Sequence, residues 1–255
     1  MQVAVFALGL VVAAAAAVRS TWSPCGQSML SQITPIGEAS RGYRYRATAR
    51  WYVLGAVAGG ASLGAAIALL AVVVRAFDAG SSALLVAAAV AALAGAVVDL
   101  GVLGFGPPFF LRQVNELWLG KYRAWLYGTG FGWQIGAGVV TYIMTAAVFV
   151  TIALGALTAG PVAALVVGVT FGLVRGLAVY LTARVRSTAD LYALHRRFDA
   201  LGEPVRRAVI GVQAAVGVVA LGLGAGVLVA VVAATVAGVL VIGQRGRRIR
   251  ARHTV

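Results

Sequence analysis

Apolar residues in this chain fall in long unbroken runs, and the charged positions cluster between them. A bilayer core about 30 Å thick is crossed by roughly 20 mainly apolar residues in helical form, so each such run is a predicted span. Six runs qualify: about 1–18, 51–74, 82–105, 131–154, 161–183 and 208–242. The last would make a helix of about 52 Å at 1.5 Å per residue, more than one span requires. The stretch Gly222-Leu-Gly-Ala-Gly226 divides it into two arms, which predicts a seventh span; one steeply tilted helix is the other reading.

The clusters between the runs set the orientation, because Lys and Arg are retained on the cytoplasmic side. One face receives Arg41, Arg44, Arg46 and Arg50, then Arg112, Lys121 and Arg123, then Arg184, Arg186, Arg196, Arg197, Arg206 and Arg207. With seven spans the tail arginines 245, 247, 248, 250 and 252 join them, leaving Arg75 alone opposite. The expected topology is a multi-pass protein of the cell membrane, N-terminus outside and C-terminal tail cytoplasmic. Ala15-Ala-Ala17 resembles a signal cleavage site, but the basic n-region of a signal is missing, so residues 1–18 are expected to be a retained span.

Composition supports this frame. Apolar residues make up 61% and charged ones 11%, which excludes a disordered chain and argues against a soluble one. The net charge of +14 would suggest nucleic acid in a soluble protein. Here it records topology, so the expected partner is the lipid bilayer and not nucleic acid. Two connections have amphipathic character. Residues 188–201 place Leu191, Leu194, Phe198 and Leu201 on one helical face, with Gly202 and Pro204 closing it, and 109–127 intersperse aromatics with Arg112, Lys121 and Arg123. Both read as helices lying on the cytoplasmic surface.

Reactive groups are few. Cys25 is the sole cysteine, and His195 and His253 read as solvated members of basic segments, so neither a metal site nor a cofactor is expected. No phosphate-binding glycine loop with lysine, HExxH or CxxC occurs. The most informative stretch is Ser20-Thr-Trp-Ser-Pro-Cys-Gly-Gln-Ser-Met-Leu-Ser-Gln-Ile-Thr-Pro35. Pro24 removes a backbone donor and Gly26 loosens the next turn, so the helix is expected to break there. Non-helical backbone at membrane depth persists only where protein or a water-filled cavity satisfies it, and such breaks often mark functional sites. Chemistry alone leaves Cys25 either a reactive thiolate or an inert small apolar residue.

Ser23-Pro-Cys25, the later Pro35 and the glycine-rich run Gly55-Ala-Val-Ala-Gly59-Gly-Ala-Ser-Leu-Gly64 resemble the first half of the CcdA/DsbD transmembrane family. Phe131-Gly-Trp-Gln-Ile-Gly-Ala-Gly-Val-Val140 is similar to that family's fourth helix, and Phe171-Gly-Leu-Val-Arg-Gly-Leu177 to its fifth. An internal repeat points the same way: Trp22 falls over Trp133 at an offset of 111, and Gly55-x3-Gly59 over Gly168-x3-Gly172 at 113. Two three-helix halves of opposite orientation are expected, about 1–105 and 128–222, then an extra span at about 226–243 and a basic tail, 244–255.

The resemblance implies a carrier of reducing equivalents in thiol–disulfide or cytochrome c maturation chemistry, with one cysteine in each half and a thioredoxin-like partner. Gly136 stands where the second cysteine belongs, so an intramolecular dithiol relay is chemically impossible in this chain. Cys25 would have to act with a partner's thiol. A small-solute transporter on the same scaffold and a non-catalytic membrane subunit are the competing readings.

Asp99 and Arg175 lie at similar expected depths, about 10 and 13 Å from the cytoplasmic ends of their spans, which predicts an ion pair. Pro24, Gln27, Ser28, Ser31, Gln134, Gly136, Thr141 and Tyr142 are candidates to line the interface between the halves. The spacings Gly55/Gly59, Gly60/Gly64, Gly132/Gly136, Gly172/Gly176 and Gly222/Gly226 predict close backbone packing. The fold expected is thus an all-α integral membrane protein, a CcdA-like inverted repeat with an additional C-terminal span.

Overall fold

The computed structural model describes residues 2–101, 104, 121–226 and 229. Among these there is no strand, and the chain forms nine α-helices. They are α1 (Gln2–Ser20), α2 (Pro24–Gln32), α3 (Pro35–Ser40), α4 (Tyr45–Ala76), α5 (Ser81–Leu100), α6 (Ala124–Ala137), α7 (Ala147–Leu157), α8 (Pro161–Leu177) and α9 (Thr188–Ala225). Five segments are long and apolar enough to cross a membrane: α1, α4, α5, α9, and α8 with the 3₁₀ turn that follows it. Their outward faces carry Val3, Leu54, Leu69, Val90 and Val162, all more than half exposed. A soluble protein would have to cover such a surface, whereas lipid solvates it.

Helix α4 is the centre of the arrangement, packed along α6 on one side and α8 on the other. Glycines make this possible. A Cβ at Gly132 or Gly136 of α6 would stand 2.0 Å from the carbonyl oxygen of Tyr52 or Ala56, and one at Gly55 or Gly59 would stand 2.1 Å from that of Thr129 or Trp133. Gly60 and Gly64 meet Gly168 and Gly172 of α8 in the same way. Real side chains never approach that closely, so the helices are in backbone contact, the role expected of small residues four apart. Gly226 is an exception among the predicted spacings: nothing lies within 4 Å, and it stops α9 at a φ of 96°.

Helix α1 packs on α8 and α6 on α4, while α4 meets α8 and α5 meets α9. The helical run is broken in two places. In the first, residues 21–23 interrupt the run and Pro24 begins α2, its lack of an N–H harmless at the first helical position. In the second, the predicted span 131–154 is two helices, α6 and α7, separated by residues 138–146. Gly138 makes the turn at a φ of 70°, and a Cβ there would lie 2.7 Å from the Phe171 ring.

Two further expectations are corrected. Residues 188–201 are not a separate surface helix: Gly202 and Pro204 do not close it, and α9 runs on to Ala225 with Pro204 inside. Tertiary contacts on both sides hold the helix through the proline. Trp22 stacks on Phe198 at 4.8 Å and its indole donates to the Phe198 carbonyl, while α5 packs alongside α9. Of the predicted connector 109–127, residues 124–127 are the first turn of α6 and 109–120 lie outside the described residues. The predicted seventh span, the basic tail and His253 also lie outside them.

Candidate functional site

The break before α2 places Cys25 at the second residue of a helix. Ser23 caps that helix, its Oγ accepting from Gly26 N at 3.2 Å. The thiol is buried, 2% exposed, at a narrow cleft with an empty volume of about 270 Å³, the space at its mouth included. Ser28, Met29, Gln32 and Ile33 form the wall on the side of Cys25, and Phe131 and Ile135 of α6 face them from the second half. The cleft therefore lies between α2, which follows the first break, and α6, which precedes the second.

Arg175, fully buried, crosses this seam. Its Nη1 donates to Ile135 O at 2.8 Å and to Thr141 Oγ1 at 3.4 Å; its Nη2 donates to Ser20 O at 3.4 Å and to Ser23 Oγ at 3.3 Å. One guanidinium thus ties the first helix break to the residues around the second. The Phe171 ring lies under it, 5.8 Å from the guanidinium carbon.

The predicted ion pair of Arg175 with Asp99 is not formed. Asp99 accepts instead from Thr145 Oγ1 at 2.6 Å, Ala146 N at 2.7 Å and Gln213 Nε2 at 2.8 Å. It satisfies backbone and side-chain donors at the start of α7, the service an N-cap side chain gives its own helix. Arg19 and Arg206 are within electrostatic reach of it, and Arg206 also donates to its main-chain carbonyl. Equal depth in the membrane did not make the two charges neighbours, because α5 packs on α9 and α7 while Arg175 points across to α1 and α6.

Other predicted residues divide. Ser28 lines the cleft with Cys25, and Pro24 begins the helix that carries them. Gln27 turns away, its amide 3.5 Å from Trp22 O, and Gln134 is not in the cleft wall. Gly136 is held against Ala56, so a side chain at this position would meet the α4 backbone before reaching Cys25. Ser31 lies 3.0 Å from His195 Nε2, and His195 Nδ1 donates to Leu191 O. His195, expected to be solvated, is thus part of the contact between α2 and α9.

Sequence reasoning missed a second buried acid. Glu38, with no exposed surface, receives Arg41 Nη2 at 2.7 Å, Tyr127 Oη at 2.6 and 2.8 Å, and Thr48 Oγ1. The same Arg41 nitrogen donates to Gln32 O, at the end of α2. The cluster clamps the α2–α3 segment to α4 and α6. The available signal was an isolated acid, the first in the chain, between Pro35 and Arg41.

This geometry and the five apolar spans define a multi-pass, all-helical membrane protein with a buried polar seam where α2, α6 and α8 meet. Its similarity is to two proteins, each named methylamine utilization protein MauF. The protein from Methylophilus methylotrophus is 28% identical over 189 residues, 70% of this chain and 63% of the relative. That from Methylobacillus flagellatus is 30% identical over 154 residues, 56% of this chain and 51% of the relative. The chain therefore spans less than two thirds of either relative's length. No family model matches, so the CcdA/DsbD resemblance rests on its short motifs alone, and no solved structure matches.

Proposed function

We propose that this chain is a membrane accessory protein in a process of the methylamine-utilization kind, and that it works on a partner's thiol or disulfide through Cys25. The observation carrying this reading is the position of the thiol: second residue of α2, at the cleft between α2 and α6, with a buried cation bonded to Ile135 of one wall and to Ser23, the cap of the helix that forms the other. The similarity to two methylamine utilization proteins supports the process, and the five apolar helices support the membrane setting.

The chemistry is that of a single thiol. Cys25–SH and a partner disulfide give a mixed disulfide, one S–S bond forming as another breaks, and the expelled sulfur takes the proton Cys25 lost. A second thiol then attacks the partner's sulfur in the mixed disulfide and returns Cys25–SH. The partner's sulfur then forms a new disulfide with that second thiol, so the net change is exchange of one disulfide for another, and no second cysteine in this chain is needed. The tight contact of Gly136 with Ala56 agrees with a resolving thiol that comes from outside. The test is complementation of a gene deletion, read as growth on methylamine. Cys25→Ser should fail to restore growth, whereas full restoration would end the thiol reading and leave only the accessory role.

A further inference from the structure

Arg175 has four hydrogen-bonded contacts, all to neutral oxygens, and none of the ion pairs among the described residues includes it. An uncompensated charge buried among apolar helices costs several kcal/mol, so it persists where something else requires it. Its Nε is buried with no hydrogen-bond partner, and so is the hydroxyl of Tyr52, whose side chain is fully buried on α4. Buried polar groups are nearly always paired, and these two are among five such atoms without a partner in the described residues, the others belonging to Arg19, Arg41 and Gln213. Tyr52 and Arg175 are within electrostatic reach of each other, and each is within reach of Cys25. Independently, the guanidinium is bonded to Ser23, the cap of the helix carrying Cys25, and to Ile135, the residue opposite it in the cleft.

We propose that Arg175 and Tyr52 are positioning residues that stabilise negative charge on the Cys25 sulfur, both when it attacks a disulfide and when it leaves the mixed disulfide. This rests on the reading that Cys25 exchanges disulfides. The resting thiol leaves the site one negative charge short, and the ionised sulfur completes it. Tyr52 supplies a neutral O–H donor, and Arg175 supplies a charge that no neighbouring carboxylate has already neutralised.

Purified protein in detergent, reacted with iodoacetamide at one fixed pH, tests this without a biological partner. Alkylation of Cys25 should slow about tenfold in Arg175→Gln, equivalent to about 1.4 kcal/mol in the barrier. Arg175→Lys should recover part of the rate. Tyr52→Phe, which removes one oxygen and leaves the packing intact, should slow it about threefold. Denatured samples should react equally. A merely structural Arg175 would act in the opposite sense: its loss would loosen the cleft and speed alkylation. Unchanged or faster reaction in both Arg175→Gln and Tyr52→Phe overturns the proposal. Slower alkylation in a protein whose Cys25→Ser variant still supports growth would uphold the charge role and refute the exchange reading.

Discussion

Asp99 and Arg175 are both charges buried in apolar helices, and the protein treats them differently. Asp99 is met by three donors and has two arginines nearby, so its charge is spent on holding the start of α7. Arg175 is met only by neutral oxygens and keeps an orphaned Nε. Gln213 Oε1 and Arg19 Nε, beside Asp99, also lack a partner, so the difference between the two sites lies in the counter-charge: arginines stand near Asp99, and among the described residues no carboxylate is paired with Arg175. A buried charge kept without a counter-ion, where a neutral side chain would pack at less cost, is the usual mark of function.

Removing each charge sharpens the contrast. Asp99→Ala would leave Thr145, Ala146 N and Gln213 without their acceptor and Arg19 without its anion, and should cost about 3–5 kcal/mol. Arg175→Gln loses hydrogen bonds but also relieves an uncompensated charge, so its cost should be about 1–2 kcal/mol. Unfolding midpoints in detergent measure both. If Arg175→Gln proves the more damaging, the division between a structural and a functional charge is wrong.

Restoring the missing cysteine is the next largest test. Gly136→Cys would drive a Cβ into the Ala56 carbonyl and push α6 off α4, an overpacking penalty of about 1–3 kcal/mol. Reduced yield of monodisperse protein, with no disulfide to Cys25, is expected. A well-folded variant that forms the disulfide would show that α6 can move and that the relay was lost by one substitution only.

Glu38 gives a smaller effect of the Asp99 type. Tyr127→Phe removes one of its donors and should cost about 1 kcal/mol, with Cys25 alkylation little changed. A large change in alkylation would join Glu38 to the functional charge and erase the contrast.

The two helix breaks show what the sequence made readable. Pro24 marks the first break because proline acts locally, through its missing N–H. The second break depends on a glycine turn under Phe171 and on Asp99, which is remote in sequence and reaches Ala146 only after α5 has packed on α7. Hydrophobicity alone therefore read 131–154 as one span. The glycine seam was legible because backbone contact needs small residues every fourth position, and α4, α6 and α8 have them. Glu38 was not, because its surroundings looked like a polar loop, and only folding brings Tyr127 of the other half onto it. Depth along a helix was a poor guide to the Asp99–Arg175 pairing, since it fixes height and not neighbours.

The central claim is that Cys25 forms a covalent bond to a partner's sulfur. Acid quenching and alkylation of intact cells, followed by non-reducing separation and mass spectrometry of the tagged chain, measure this directly. The account predicts a higher-mass, reductant-sensitive species joined at Cys25 to a cysteine peptide of another molecule, absent in Cys25→Ser and diminished in Arg175→Gln. A thiol recovered entirely as free Cys25 under conditions where the protein is needed for growth would contradict it.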